Sequence, residues 1–196
     1  MSSRSKKVER ATNETKISMS FDLDGEGKYK IDTNAPFLDH MLSLFAKHGL
    51  FDLEIKASGD VEVDRHHVVE DIGIVLGEAI YKSLGNKAGI KRFSFISLPM
   101  DEALVALSLD ISGRPVLVYN VKCPQEKTGD FEVVLAEEFF KALTNSAKIT
   151  LHINLLYGNN THHIIEAIFK AFGRVLSAAT RIDKRIKGIP STKGKL

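Results

Sequence analysis

Two stretches of the chain carry the same five-residue pattern. "DRHHVVEDIG" (64–73) and "NTHHIIEAIF" (160–169) each set two adjacent histidines ahead of two β-branched residues and a glutamate. On a helix, residues four apart share a face, and successive residues diverge by about 100°. His66 and Glu70 can therefore meet one ligand, as can His162 and Glu166, while His67 and His163 point elsewhere. Adjacent histidines are badly placed to chelate one ion together and well placed to serve two. Imidazole nitrogen with carboxylate oxygen suits a first-row divalent metal such as Mn, Fe, Co or Zn, and the absence of cysteine ligands argues against structural zinc. The pattern also differs from the HExxH of zinc proteases, whose histidines sit four apart on a single ion.

One HHxxE is a weak signal, because a helix histidine is usually a surface or capping residue. Two copies at equivalent places in a duplicated chain say more. The offset is 96 residues, from 66 to 162. Aligning the halves sets His40, in "FLDHML", opposite Glu138, in "LAEEFF"; they precede their histidine pairs by 26 and 24 residues. The candidate ligands are then His40, His66, His67, Glu70, Glu138, His162, His163 and Glu166. Eight groups over two ions give four each. An octahedral ion would keep two positions open, which favours Mn(II) or Fe(II) over tetrahedral zinc. His48 stands beside Gly49, where a helix C-terminus favours a cationic side chain, so its default role is structural.

The elements that must position these groups are also written twice. "APFLDHMLSLFAKHG" reads as a helix with Pro36 at its start and Gly49 as its stop, and "HHVVEDIGIVLGEAIYKSLG" as a second ending at Gly85. "GDFEVVLAEEFFKALTNSA" and "THHIIEAIFKAFGRVLSAAT" repeat the pair. Strand-like runs, "FDLEIKAS" and "KITLHINLL", follow the first helix of each pair and lead through polar turns, "GD" and "GNN", into the HHxxE helix. Further strands are expected in "TKISMSFDLD", "KYKIDT", "KRFSFISLPM", "EALVALSLDIS" and "PVLVYNVK". The expected fold class is α+β: an internal duplication of a two-layer sheet-plus-two-helices unit, with the helical layers packed between two sheets. Residues 1–9 are expected to be a flexible N-terminus, 10–88 the first repeat, 89–182 the second, and 183–196 a C-terminal tail.

Length and composition narrow the function. At 196 residues the chain can bury a core without disulfides, and Cys123, its only cysteine, allows no internal one. That usage fits a reducing, cytoplasmic compartment. A net charge of +2 argues for no nucleic-acid or membrane partner. No apolar run approaches the roughly 20 residues needed to span a bilayer, and "MSSRSKKVER" lacks the apolar stretch of a secretory signal.

With these residues in hand, the chain resembles the imidazoleglycerol-phosphate dehydratases of histidine biosynthesis. The likeness runs from "RATNETKI" to "PSTKG" through "FLDHML", "HHVVEDIGI", "PMDEAL", "DISGRP", "GNNTHHIIEAIFKAFGR" and "IPSTKG". The chain departs from the family pattern in the lead-in of "NAPFLDHM", where a glycine is more usual, and at Arg65 and Val68, neither of them a ligand; Glu138 lies where some members have histidine and others glutamate. The resemblance implies two Mn(II) ions per active site and a homo-oligomer of 24 subunits with sites between them. It implies elimination of water from imidazoleglycerol phosphate through a metal-bound imidazolate and a diazafulvene, giving imidazole acetol phosphate. It makes Glu14 the acid/base at the substrate hydroxyls, with His40, His67, Glu70, His163 and Glu166 also catalytic. His48, Arg92, Arg114, Lys170, Ser191, Thr192 and Lys193 join Glu14 in binding substrate, and the tail folds over it. Arginine suits a phosphate because its guanidinium donates two parallel hydrogen bonds. Two other classes stand beside this reading. A dinuclear phosphate-ester hydrolase would release phosphate from simple esters. A non-catalytic metal-binding shell would need neither Glu14 nor the arginines.

Overall fold

The structure, a computed structural model, describes residues 4–59 and 65–196. The first repeat runs β1 (Ser5–Ala11), β2 (Thr15–Asp22), β3 (Tyr29–Asp32), α1 (Pro36–Gly49), β4 (Asp52–Gly59) and α2 (His66–Leu84). The second runs β5 (Phe93–Met100), β6 (Ala103–Asp110), β7 (Val116–Asn120), β8 (Lys127–Thr128), β9 (Phe131–Glu132), α3 (Val134–Ala147), β10 (Thr150–Tyr157) and α4 (Thr161–Thr180).

Alternation builds the sheets. β2 buries Thr15, Ile17, Met19 and Phe21, and β6 buries Ala103, Val105, Leu107 and Leu109, each on one face of its strand. The two four-stranded sheets have the same order, β1-β2-β4-β3 and β5-β6-β10-β7. In each, three strands run antiparallel and the last pairs parallel with its neighbour. A parallel pair needs a crossover, and α1 and α3 supply it.

The expected sandwich of helices between sheets is what forms, and the helices pair across the repeats. α1 packs along α4, and α2 along α3. Phe45 of α1 stacks on Phe172 of α4 at 5.3 Å between ring centroids, and one continuous cluster of buried side chains joins the halves. Each buried phenyl ring contributes about 2 kcal/mol by leaving water. Two glycines at the duplication offset allow the close approach. A Cβ on Gly173 would lie 2.5 Å from the Phe45 carbonyl oxygen, and one on Gly77 would lie 2.5 Å from that of Leu143.

Two expectations need correction. Residues 5–9 belong to no flexible N-terminus: Ser5–Ala11 forms edge strand β1 of the first sheet, while residues 1–3 of the expected segment lie outside the described residues. Its polar sequence hid it, because an edge strand buries little, here Val8 alone. The third helix begins at Val134, not near Gly129. Lys127–Thr128 and Phe131–Glu132 form a small hairpin about Gly129 (φ +60°), pinned by buried Phe131 and a 2.8 Å Lys127–Glu132 ion pair. Of the turn expected at "GD", Gly59 ends β4, and Asp60 lies outside the described residues. Among the described residues, no helix is long and apolar enough to cross a membrane.

Candidate metal centre

The ends of α1 and α4 are fixed locally before they meet. Asp39, in the first turn of α1, accepts hydrogen bonds from the Thr33 backbone N–H (3.1 Å) and hydroxyl (2.5 Å). Asn160 caps α4, its side-chain oxygen accepting from the backbone N–H groups of His162 (3.0 Å) and His163 (3.4 Å). Both histidines of the second pair therefore start from a defined backbone. α2 has no side-chain cap; Arg65, just ahead of His66, instead pairs with the Asp130 carboxylate at 2.7 Å.

Where α1 meets α4, ligand atoms of His40, His162 and Glu166 lie within 4.8 Å of one another. Glu166 Oε2 is 3.1 Å from His162 Nε2 and 3.7 Å from His40 Nε2. Its other oxygen, Oε1, accepts from the Lys170 ammonium at 2.5 Å. The carboxylate is thus divided, one oxygen held and one offered. Burial pushes the Glu166 carboxyl up, but Lys170 and His162 together outweigh it and hold the group below its ordinary value. The Phe37 ring meets His162 edge-on at 5.4 Å and is backed by Phe131 at 4.9 Å, so the β8–β9 hairpin supports the site. Two imidazole nitrogens and one carboxylate oxygen, converging on one point, fit a divalent first-row cation and leave positions for further ligands.

The chain places the other five candidate ligands apart from this cluster. His66 and Glu70 share a face as the helical period requires, 3.7 Å apart. His67 Nδ1 lies 3.8 Å from Glu14 Oε2, and Glu138 pairs with Lys141 at 3.5 Å. His163 turns toward a residue that sequence reasoning missed: its Nδ1 is 2.7 Å from Glu102 Oε2. That contact draws the Glu102 carboxyl down to about 2 and raises the His163 imidazole above its ordinary value. The signal was present in "PMDEAL", because Glu102 occupies the hairpin position that Glu14 holds in "RATNET".

The phosphate-binding candidates gather elsewhere. Arg92 forms a fork on Asp110, at 2.7 and 3.2 Å, and donates to the Pro190 carbonyl at 2.8 Å. Arg114 lies 3.8 Å from the same carboxylate. The tail is tied to this corner by backbone bonds, Gly89 N–H to Gly188 O and Asp183 N–H to Gly89 O, both 2.8 Å. Beyond Pro190, the Lys193 N–H reaches the Ser191 hydroxyl at 3.2 Å, with Thr192 exposed between them. His48 and Lys170 belong to the other group, along the α1–α4 seam; partial burial, then the Lys170 and Arg174 charges, hold the His48 imidazole below its ordinary value. The two groups lie at opposite ends of α4. The Arg92 N–H bonds to the Ala179 carbonyl, whereas His162 is in the first turn. Seventeen residues (179 − 162) at 1.5 Å each put them about 26 Å apart. No small phosphorylated substrate bridges that distance within one chain.

Comparison with known proteins supplies the chemical context. Residues 33–176 match the family model described as imidazoleglycerol-phosphate dehydratase. The imidazoleglycerol-phosphate dehydratase of Geobacter sulfurreducens is 54% identical over 194 residues, covering 99% of this chain and 100% of that protein. That of Acetivibrio thermocellus is 59% identical over 189 residues, covering 96% and 97%. Among solved structures, imidazoleglycerol-phosphate dehydratase from Staphylococcus aureus superposes with a TM-score of 0.83 at 41% identity, covering 91% of this chain and 99% of that one. The Pyrococcus furiosus enzyme in complex with (S)-C348 also gives 0.83, at 40% identity, covering 96% and 100%.

Proposed function

The chain belongs to the imidazoleglycerol-phosphate dehydratase family, and from that premise we propose that it is the hydro-lyase of histidine biosynthesis converting imidazoleglycerol phosphate to imidazole acetol phosphate. The observation that carries the reading is the convergence of His40, His162 and Glu166, a donor set built for a divalent cation. We assign it Mn(II), two ions per active site, held by these three with His66, His67, Glu70, Glu138 and His163. Bound at the substrate imidazole, the ions would lower its pKa and favour loss of the C3 hydroxyl.

The residues of the chain do the rest. Glu14, beside His67, takes the C2 proton and serves the side-chain hydroxyls. The protonated Glu14 carboxyl gives its proton to the leaving C3 hydroxide, which departs as water; the carboxylate so formed regains a proton from C2, and the resulting enol ketonises. Lys170 holds one oxygen of Glu166, which aims the other at the metal position. Arg92, Arg114, Ser191, Thr192 and Lys193 bind the phosphate, His48 lines the substrate channel, and the tail over the Arg92 corner keeps water out. Because about 26 Å of α4 separates the metal triad from the phosphate corner, each active site takes them from different copies of the chain. A closed shell of 24 subunits, in the cytoplasm, provides such sites.

The test is to supply purified protein with Mn(II) and imidazoleglycerol phosphate and to follow the enolisable ketone. The expected result is ketone with no release of inorganic phosphate. Intact metal binding with no ketone overturns the reading.

A further inference from the structure

The duplication aligns hairpins as well as helices. β1 and β2 are joined through Glu14, the residue before Thr15; β5 and β6 are joined through Glu102, the residue before Ala103. Each glutamate faces Nδ1 of the second histidine in its own repeat, but at different ranges. Glu14 stands off His67 by 3.8 Å, beyond hydrogen-bonding reach. Glu102 contacts His163 at 2.7 Å.

Glu102 is also held from behind. Its Oε1 accepts from the backbone N–H groups of Asn160 (2.9 Å) and Asn159 (3.3 Å), at the entrance to α4, which leaves Oε2 for the imidazole. An ionised carboxylate only accepts hydrogen bonds, so the proton of the neutral imidazole sits on Nδ1 and the lone pair on Nε2. Around Nε2 lie the Asn160 amide nitrogen at 3.5 Å, whose N–H faces that lone pair, and the exposed Asp101 carboxylate at 3.8 Å.

We propose that Glu102 is a positioning residue for the metal: by holding Nδ1–H of His163 it fixes the tautomer and ring direction that present Nε2 as a ligand. A carboxylate behind a ligating imidazole orients the ring and raises its basicity. The repeats have thereby divided one ancestral position. Glu102 serves the metal through a histidine, and Glu14, set back from its own histidine, remains available to substrate. The inference rests on His163 being a ligand, as the proposed function assigns it.

The experiment is Mn(II) titration of the full-length protein, following free Mn(II) by its electron paramagnetic resonance signal, for wild type, Glu102→Gln, Glu102→Ala and His163→Ala. Glu102→Gln is the informative variant. Its amide oxygen can keep the two backbone N–H groups, which turns its NH2 toward His163 Nδ1. That donor demands a lone pair on Nδ1 and moves the proton to Nε2, blocking coordination. Glu102→Gln is therefore expected to keep the unfolding temperature of the metal-free protein and to lose affinity at one class of site by about 10–100-fold, at least as much as Glu102→Ala. A smaller loss in Glu102→Gln, with His163→Ala losing that class of site, overturns the role of Glu102 and leaves the ligand assignment standing. Full Mn(II) binding by His163→Ala overturns the ligand assignment itself, and the role of Glu102 with it.

Discussion

Gly173→Ala tests how the helix pair sets the metal triad. The added Cβ would sit 2.5 Å from the Phe45 carbonyl oxygen, a backbone atom that cannot swing aside. An ordinary carbon–oxygen contact is about 3.3 Å, so α1 and α4 must part by about 0.8 Å. Overpacking of this kind costs about 1–3 kcal/mol, partly offset by about 1 kcal/mol of helix propensity gained over glycine. A net loss near 1 kcal/mol lowers the midpoint of a chain this size by about 2–4 °C. The larger effect falls on the metal. His40 rides on α1, while His162 and Glu166 ride on α4, and a metal–ligand distance tolerates only about 0.2 Å. Gly173→Ala should therefore weaken Mn(II) at the triad by at least tenfold, roughly the penalty for disturbing a ligand's support. The control is Gly85→Ala, at φ +55° with nothing within 4 Å of the new Cβ. With ψ −127° this backbone lies outside the left-handed helical region, so the change costs about 1–3 kcal/mol of strain and should lower the midpoint at least as much, with metal binding unchanged. Calorimetry of the metal-free proteins and Mn(II) titration read both quantities. Wild-type metal affinity in Gly173→Ala, with the midpoint lowered as in the control, would refute the coupling of helix spacing to the site.

Three further outcomes are expected. Glu166→Gln removes the carboxylate shared by His40, His162 and Lys170, and should abolish tight Mn(II) and the native oligomer together; metal analysis with light scattering reads this, and retention of both contradicts the ligand assignment. Arg92→Lys trades a two-point donor for a point charge, and losing one charge-assisted hydrogen bond should raise KM by about 10–100-fold with a smaller change in kcat, so an unchanged KM removes Arg92 from the phosphate site. Asp24 is held below its ordinary value of 3.8 chiefly by its hydrogen bond to Arg4, whose guanidinium also donates to the Thr180 carbonyl at 2.7 Å. A carboxyl lowered on folding stabilises above its unfolded pKa and loses that contribution as pH falls through its folded one. Thermal midpoints of wild type and Asp24→Asn should thus differ at neutral pH and converge below about pH 4; a difference persisting in acid would contradict the pairing.

The sequence made the interior of the fold legible wherever burial is one-sided. Alternation in β2 and β6 and the helical period of α2 and α4 follow from core contact, and the 96-residue offset made the duplication legible from the histidines; that the same offset relates Gly77 to Gly173 emerged only from the helix packing. Elements that bury little escaped. β1 is an edge strand, and the β8–β9 hairpin rests on one phenyl ring, Phe131. The site divided in the same way. His162 with Glu166 follows from helix geometry alone. The approach of His40 depends on α1 crossing to the other repeat, which no local pattern encodes. Arg92 and Arg114 read singly as surface charges, and only their shared partner Asp110 and the returning tail make them a group. Glu102 escaped for a different reason: its hairpin position matches that of Glu14, but a turn glutamate gains meaning only when folding brings the α4 entrance beneath it.

The length of α4 has a genetic consequence. If one chain lends its triad to one active site and its arginine corner to another, damage at the two ends of that helix should not be equivalent to damage twice at one end. Cells expressing a His40→Asn chain beside an Arg92→Ala chain would build mixed particles. In random co-assembly about a quarter of the sites would draw an intact triad and an intact corner from different chains. Two inactive alleles would then restore growth without histidine, while two triad alleles together would not. The pattern of rescue would map which residues meet across the boundary between copies.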